Sequence, residues 1–301
     1  MPYLFLALAA CFWGGNYVIG HLLVSDADPI ILSQLRWLVT AILLMSLYFK
    51  QVKQQWESMK EAKGIILFLS LCGQVLFPVT LYIGLQYTSS LNAAIYMSAT
   101  PSIVLLINAV VFKEKINKRN YFGVFLSTLG VIYLVFRGNL DLNSVTDNLN
   151  KGDLWAICSA VSWALYCAFL RLKPRTVNGN AFVAVSSVIG SLILLPILIY
   201  HLYVSGSVAD YNAIDAGHYI SLFFLAGLAY LVIFPSWLSY LLWNKGILTI
   251  GATRGEIFSH LIPLSGGFFG VIFLNDALQS FHLLSAVLII SGIYFCSTTR
   301  K

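Results

Sequence analysis

The chain has 301 residues, of which 59% are hydrophobic and only 10% are charged, and its formal net charge at pH 7 is +6. An ordinary soluble domain has roughly 45–50% apolar and about 25% charged residues, so this composition excludes a soluble globular protein. The basic residues lie at the ends of apolar runs. The positive charge therefore reports membrane topology, and we expect no nucleic-acid partner.

Ten runs of low charge follow one another, each close to the roughly 20 residues that span a bilayer. They cover 3–23, 29–49, 64–87, 92–112, 120–136, 153–172, 180–204, 217–243, 252–274 and 281–298. The first run starts directly after Met1 and Pro2, without the basic start of a cleavable signal peptide, so we expect a retained helix. The sequence predicts an all-α integral membrane protein with ten transmembrane helices.

The two halves of the chain repeat each other. A shift of 162 residues aligns four landmarks, which are Gly84 with Gly246, Pro101 with Pro263, Glu114 with Asp276, and Gly130 with Gly292. A looser match at a shift of 150 sets Trp13 beside Trp163. We therefore predict a first repeat at 1–137, a periplasmic or extracellular linker at 138–152 and a second repeat at 153–301. Five helices per repeat is an odd number, so the second copy is inverted, as in many secondary transporters.

Lys and Arg are distributed unevenly between the connecting loops. With the N terminus inside, the inner loops hold fourteen of the eighteen basic residues, namely Lys50, Lys53, Lys60, Lys63, Lys113, Lys115, Lys118, Arg119, Arg171, Lys173, Arg175, Lys245, Arg300 and Lys301. The outer loops hold Arg137, Lys151 and eight of the twelve acids, including Asp26, Asp28, Asp141, Asp147, Asp210 and Asp215. Basic loops stay in the cytoplasm, so we expect both termini there.

Three short sequence motifs lie within or next to the predicted spans. They are Phe12-Trp13-Gly14-Gly15-Asn16, Leu35-Arg36-Trp37, and the Pro101 and Glu114 pattern repeated as Pro263 and Asp276. Over nearly its whole length the chain resembles the EamA-type branch of the drug/metabolite transporter superfamily. The resemblance implies a ten-helix exporter or exchanger of amino acids, metabolites or drugs in a branch that includes aromatic amino acid exporters. Asp276 follows Asn275, where the family more usually has Gly-Glu.

Prolines fall within four spans, in corresponding helices of the two halves: Pro78, Pro101, Pro235 and Pro263. Proline removes a backbone donor and clashes with the preceding turn, so each predicts a kink that frees carbonyls for other partners. Their correspondence between the halves favours kinks that border a central cavity. Alternatively, the kinks only shape the packing of the helices.

Aromatic and polar side chains are frequent near the predicted midplane. The candidate substrate-binding residues are Trp13, Asn16, Gln74, Tyr82, Tyr96, Trp163, Tyr166, Trp237, Tyr240 and His260. Rings for stacking together with a few orienting polar groups suit an amphipathic solute, and we place most weight on Trp163 and Tyr82. The alternative is that these rings belong to the ordinary core and the membrane interface.

Four ionisable residues lie within spans, where a charge is costly and normally faces the bundle interior. Glu256 and His260 are four residues apart on the ninth helix, so we predict a shared face that binds an ammonium group or passes a proton. With Arg254 they are candidates for coupling or gating. Alternatively, Arg254 and Glu256 snorkel, or pair with Lys245 or with each other. For Arg36 the expectation is a structural ion pair with Asp276.

Motifs for nucleotide binding, serine hydrolysis, zinc proteolysis and dinucleotide binding are absent from the sequence. The five cysteines lie in apolar runs without metal-site spacing, so we expect no catalytic residue, no metal and no cofactor. We predict a monomeric secondary transporter of a small amphipathic metabolite in a bacterial inner membrane, with the lipid bilayer and the solute as its partners. The alternatives are an intramembrane enzyme using His260 and Glu256, a channel, or a lipid-carrier flippase.

Single cysteines at positions 55 and 117 should be protected from an impermeant thiol reagent in intact cells, while cysteines at 27, 145 and 210 should react, because the basic loops are retained inside. Mass-shift labelling of a cysteine-free background measures this. Labelling of position 117 but not of position 145 would reverse the assignment.

Overall fold

The computed structural model describes residues 1–88, 93, 96–136, 150–206, 216–273 and 280–297, and within these ranges every regular element is a helix. The helices are α1 Pro2–Val24, α2 Pro29–Gln54, α3 Trp56–Glu61, α4 Lys63–Leu85, α5 Thr100–Val110, α6 Lys118–Val135, α7 Lys151–Phe169, α8 Gly179–Gly206, α9 Ala216–Tyr219, α10 Leu222–Ile250, α11 over 252–273, and α12 Ser280–Ser297. A 3₁₀ turn, Leu170–Leu172, continues α7.

Seven of the described helices are long and apolar enough to cross a membrane: α1, α2, α4, α7, α8, α10 and α12. The helix α5 is shorter but also apolar. The fold is therefore that of a multi-pass membrane protein. Each of the ten predicted spans contains a helix, although the count of ten crossings remains a prediction.

The end of the eighth span was predicted wrongly. Helix α10 continues to Ile250, seven residues beyond the predicted boundary at 243, so Lys245 is part of a helix and not of a loop. Its ammonium lies 4.9 Å from the centre of the Phe5 ring. The helix ends where Gly251 has φ of 85°, a left-handed conformation that glycine adopts without steric cost.

Two helix starts follow directly from local sequence. Asp28 caps α2, and its carboxylate accepts from the amides of Ile30 at 2.8 Å and Ile31 at 3.0 Å. Helix α7 begins with a capping box in which Asn150 and Asp153 satisfy each other's free amides. Because these groups are satisfied locally, both helices can begin without further partners.

Contacts between the helices are crosswise. Helix α1 packs along the Ser239–Ile250 part of α10, while α7 packs along the Phe77–Leu85 part of α4. Similarly, α1 contacts α11 and α7 contacts α5. The aligned glycines lie at these crossings, since a side chain at Gly84 would meet Gly152 of α7 and one at Gly246 would meet Leu6 of α1. The first helix of each half thus packs against the other half.

Helices α4 and α10 are irregular at matching positions. Each contains a π-helical segment, Leu71–Leu76 in α4 and Val232–Leu238 in α10. A shift of 162 residues, the same shift that aligns the two halves of the sequence, aligns the first segment with the second. Within α10, Pro235 cannot bond the carbonyl of Leu231, which accepts instead from the Ser236 hydroxyl at 2.7 Å. The side chain of Ser236 thus satisfies a backbone group that the proline leaves without a partner.

The other span prolines also border irregular backbone. Pro78 follows the first π segment, and Pro101 lies in the first turn of α5, after a turn at 98–99. Pro263 follows a 3₁₀ segment, Glu256–His260, inside α11. A fifth proline, Pro196, lies within α8 and was not among those singled out.

The bundle has two chemically different ends. At the basic end Glu114 and Arg171 form an ion pair of 2.6 Å. At the opposite end His201 contacts Asp28 at 2.7 Å, and Thr88 donates to Asp153 at 3.1 Å. The loop residues Arg137, Asp141, Asp147, Asp210, Asp215, Asp276, Arg300 and Lys301 lie outside the described residues. The compartment that each end faces remains a prediction.

Replacing Gly292 with alanine should destabilise the bundle. Helices α6 and α12 cross so closely here that a methyl group on Gly292 would lie 2.5 Å from the Gly123 carbonyl oxygen. Overpacking of this kind costs about 1–3 kcal/mol. Thermal unfolding of the detergent-purified protein should therefore show a lower midpoint for Gly292→Ala. The control is Gly64→Ala, because a methyl at Gly64 meets nothing within 4 Å. Equal midpoints for both variants would show that the crossing is looser than described.

Candidate functional site

Six aromatic residues from both halves meet in the centre of the bundle, and we call them the aromatic cluster: Trp13, Trp37, Trp163, Tyr166, Tyr240 and Trp243. None of them exceeds 2% exposure. Trp163 is central, with ring centroids 4.9 Å from Trp13, 5.0 Å from Tyr166 and 5.7 Å from Tyr240. Most of these rings meet edge to face, a favourable arrangement for aromatic pairs.

Polar atoms of the aromatic cluster bond to the irregular helices. Trp13 Nε1 donates to the Pro235 carbonyl at 3.0 Å, and the Tyr240 hydroxyl donates to the Gly73 carbonyl. Both carbonyls belong to π segments. Each π segment therefore offers backbone acceptors to a ring that another helix contributes, which fixes the orientation of the rings.

Arg36 lies beside the aromatic cluster and is fully buried. Its Nε donates to Ser236 Oγ at 2.5 Å, and its Nη1 donates to Asn16 Oδ1 at 3.0 Å and to the Tyr82 hydroxyl at 2.6 Å. The guanidinium carbon is 5.2 Å from the centre of the Trp37 ring. All of these partners are neutral. The predicted acidic partner, Asp276, lies outside the described residues.

Glu256 is the second ionisable group next to the aromatic cluster, and only 1% of it is exposed. Its carboxyl group lies beside the Trp163 indole and the Cys167 thiol of α7, both of which are hydrogen-bond donors. Arg36 and Glu256 are thus both buried, and no ion pair joins them in the described part of the chain.

The expectation that Glu256 and His260 share one helix face is wrong. Residues Glu256–His260 form a 3₁₀ helix with three residues per turn, so positions four apart point in different directions. His260 contacts Ser127 Oγ at 2.5 Å and the Ser98 carbonyl at 2.8 Å. Both ring nitrogens are therefore occupied by groups other than Glu256.

The structure brings some of the predicted binding residues together. Trp13, Trp163, Tyr166 and Tyr240 form most of the aromatic cluster, while Asn16 and Tyr82 hold Arg36. Residues Trp37, Trp243 and Cys167 were missed, although Tyr240 and Trp243 have the three-residue spacing of one helix face. That spacing is the sequence feature from which Trp243 could have been predicted.

The described side-chain contacts of three other predicted residues are made elsewhere. The Gln74 amide is within hydrogen-bond reach of Ser70 on its own helix. Tyr96 lies beside Asp153 at the end opposite to the basic end. Trp237 packs against Tyr48 with ring centroids 6.4 Å apart. Neither sequence position nor residue type distinguishes these from the residues of the aromatic cluster.

A cavity of roughly 470 Å³ at the basic end leads toward this region, and we call it the vestibule. Its lining includes the cationic side chains Arg171, Lys173 and Arg175. Burial lowers the pKa of Lys173 below its usual value. Cys167, the neighbour of Glu256, also lines the vestibule. Arg254 lines a second cavity at the same end and donates to the Ile250 carbonyl at 3.0 Å.

Sequence comparison identifies the family. The profile of the EamA-like transporter family matches residues 1–136 and 150–298. The chain belongs to this family. The EamA-like assignment makes the protein a multi-pass membrane transporter, in agreement with the apolar helices, and the proposed resemblance is confirmed at the level of the family.

The relatives of this EamA-like chain are similar over nearly its whole length. The uncharacterized transporter YetK of Bacillus subtilis is 24% identical and aligns over 99% of this chain and 87% of its own. The uncharacterized transporter YyaM of the same organism is 26% identical, over 98% and 93%. A solved crystal structure has a TM-score of 0.73 at 15% identity, covering 98% of this chain and 95% of that one, which shows a shared fold.

Replacing Tyr82 with phenylalanine should lower stability, because the Tyr82 hydroxyl accepts from Arg36 and donates to Asn16 at 3.0 Å. Leaving buried polar groups unsatisfied costs about 1–3 kcal/mol. The matched control is Tyr17→Phe, since the buried Tyr17 hydroxyl has no partner among the described residues. Thermal unfolding should show a lower midpoint for Tyr82→Phe alone. A comparable loss in Tyr17→Phe would indicate a general effect of tyrosine removal.

Proposed function

We propose that this protein is a secondary transporter that exports or exchanges a small amphipathic metabolite, most consistent with an amino acid or a related compound. Two inverted five-helix repeats move around the aromatic cluster and expose it to each side of the membrane in turn. The observation that carries the proposal is the pair of π segments at matching positions, both bonded to rings of the aromatic cluster.

The repeat is supported by two further observations. The family profile matches in two segments that divide the chain near its middle. The contacts between the halves also correspond to each other. If α1 is exchanged with α7, α4 with α10 and α5 with α11, the contacts of α1 become those of α7. A pseudo-two-fold relation of this kind allows two equivalent arrangements of the same contacts, as alternating access requires.

The π segments suit the role of hinges. They interrupt regular helical hydrogen bonding within the two helices that carry contacts between the halves. Irregular backbone absorbs changes in φ and ψ that a continuous α-helix resists, and π segments recur at functional positions. Movement at these segments would separate the rings that now pack together.

The basic end supplies a candidate gate. The Glu114–Arg171 ion pair links the first half to the second, and Glu114 also accepts from Thr253 of α11 at 2.8 Å. Opening at this end would break these contacts. Arg254 is adjacent to Thr253 and Glu256 faces the aromatic cluster, so both are candidates for coupling ion or solute movement to the gate. Flux would depend on a gradient or on exchange.

The solute class is inferred from the surroundings of the aromatic cluster. Buried rings give contacts to an apolar body, while the few polar groups around Arg36 and Glu256 would orient a polar end. This combination suits a solute that is partly apolar and partly charged. A purely apolar solute would leave the buried Arg36 guanidinium without a compensating charge.

Counterflow in proteoliposomes tests the proposal with a panel of amino acids, nucleosides and cationic drugs. At least one solute should accumulate transiently against unlabelled solute trapped inside. Trp163→Phe should raise the half-saturation concentration by up to about fivefold, since the smaller ring loses part of an aromatic contact worth about 1 kcal/mol. Trp237→Phe is the matched control, because Trp237 lies outside the aromatic cluster.

Each result bears on a different part of the proposal. Downhill flux without counterflow would indicate a channel and contradict alternating access. Counterflow that responds equally to Trp163→Phe and Trp237→Phe would place the solute elsewhere. Vesicles prepared with either variant should contain the same amount of protein in the same orientation, so that a difference in flux can be attributed to solute binding.

A further inference from the structure

Another cavity lies beside the vestibule at the basic end, and we call it the lateral groove. Its volume is roughly 530 Å³, and it lies between the starts of α1 and α8 and the last turns of α10, where Phe5, Asn180 and Lys245 line it. Lys245, Leu248 and Thr249 of its lining are exposed, so the groove opens to the surroundings of the bundle. None of the described residues that line it belongs to the aromatic cluster or to the candidate gate.

The chemical character of the lateral groove changes along its length. Leu241, Lys245 and Thr249 are four residues apart in an α-helical part of α10, so they follow one another along one face of the helix. Leu241 and its neighbour Leu242 are farther from the basic end, while Lys245 and Thr249 are nearer to it. The groove is therefore apolar toward the membrane interior and polar where the helix ends. Phospholipids have the same order, with acyl chains deeper than the headgroup.

The polar part of the lateral groove is positively charged. The Lys245 ammonium lies 4.9 Å from the centre of the Phe5 ring and forms no ion pair with the described residues. No acidic side chain is among the described residues of the lining. Gly179 and Asn180 form the first turn of α8, where backbone amides lack partners within the helix and the helix dipole is positive. These groups favour an anion.

Asn244 adds a buried donor to the lateral groove. This residue lines the groove and is only 1% exposed. Its Oδ1 accepts from the Tyr166 hydroxyl at 2.8 Å, whereas its Nδ2 has no hydrogen-bond partner among the described residues. A buried donor without an acceptor is costly, and an oxygen atom bound in the groove beside Asn244 would supply the acceptor.

We propose that the lateral groove binds an anionic phospholipid. Its phosphate contacts Lys245 and the first turn of α8, and an acyl chain lies along Leu241 and Leu242. The apolar part of the groove favours a lipid over a soluble phosphate, which would leave these leucines uncovered. The lipid also contacts Asn244, the residue that holds the Tyr166 hydroxyl, so the site borders the aromatic cluster. The proposal does not depend on which solute is transported.

Native mass spectrometry of the detergent-purified full-length protein counts bound lipids and tests the proposal. Palmitoyl-oleoyl-phosphatidylglycerol should bind at least about fivefold more tightly than phosphatidylcholine with the same chains, the contribution of one basic side chain near a membrane surface. Glycerol 3-phosphate, which has no acyl chains, should not displace the lipid at millimolar concentration. Equal affinity for the two lipids would reject the charge contact. Displacement by glycerol 3-phosphate would reject the lipid in favour of a soluble anion.

Variants of Lys245 locate the bound lipid. Lys245→Gln should reduce the preference for phosphatidylglycerol about fivefold, whereas Lys245→Arg, which keeps the charge, should retain it. The matched control is Lys63→Gln, because Lys63 is exposed at the start of α4 and is not part of the lateral groove. This control should keep the full preference.

Two results would overturn the assignment. An unchanged preference in Lys245→Gln would place the lipid elsewhere. An equal loss in Lys245→Gln and Lys63→Gln would show that lipids respond only to the total charge of the basic end. Lys245 is exposed, so its replacement should not prevent folding, and thermal unfolding checks this. Because lipid binding is measured without transport, failure of the proposed transport function would leave this result unaffected.

Discussion

Inside a bilayer no water is available to backbone amides and carbonyls, so each must find a partner within the protein. This constraint explains why irregular backbone in α4 and α10 coincides with side-chain hydrogen bonds from elsewhere. The carbonyls of Gly73 and Pro235 accept from Tyr240 and Trp13, and the carbonyl of Leu231 accepts from Ser236. The rings of the aromatic cluster therefore satisfy carbonyls of the π segments, and the same hydrogen bonds hold those rings in place.

Close helix packing provides the second requirement. Lipid is as apolar as the side chains, so association depends on van der Waals contact and on small residues that let backbones approach. Gly84, Gly246 and Gly292 meet this need where helices of the two halves cross. The charged groups behave differently. Arg36 is buried without a compensating charge among the described residues, and a buried ion of this kind is costly for stability.

Much of the fold was predictable because hydrophobic length and proline position act locally. The apolar run from Tyr3 gave α1, and Asp28 with Pro29 marked the start of α2. Prediction failed where the local signal was ambiguous. Lys245 suggested a loop, but the helix continues to Gly251, and the four-residue spacing of Glu256 and His260 suggested an α-helical face that the 3₁₀ backbone does not have.

The sequence by itself determined the membrane class, the family and the correspondence between the halves, because these depend on composition, run length and spacing along the chain. Only the tertiary structure decided which aromatic residues meet. Trp163 and Trp237 are the same residue type and lie in comparable spans, yet one is central to the aromatic cluster and the other packs on Tyr48. Helix rotation and crosswise packing between distant segments set that difference, and no local pattern encodes it.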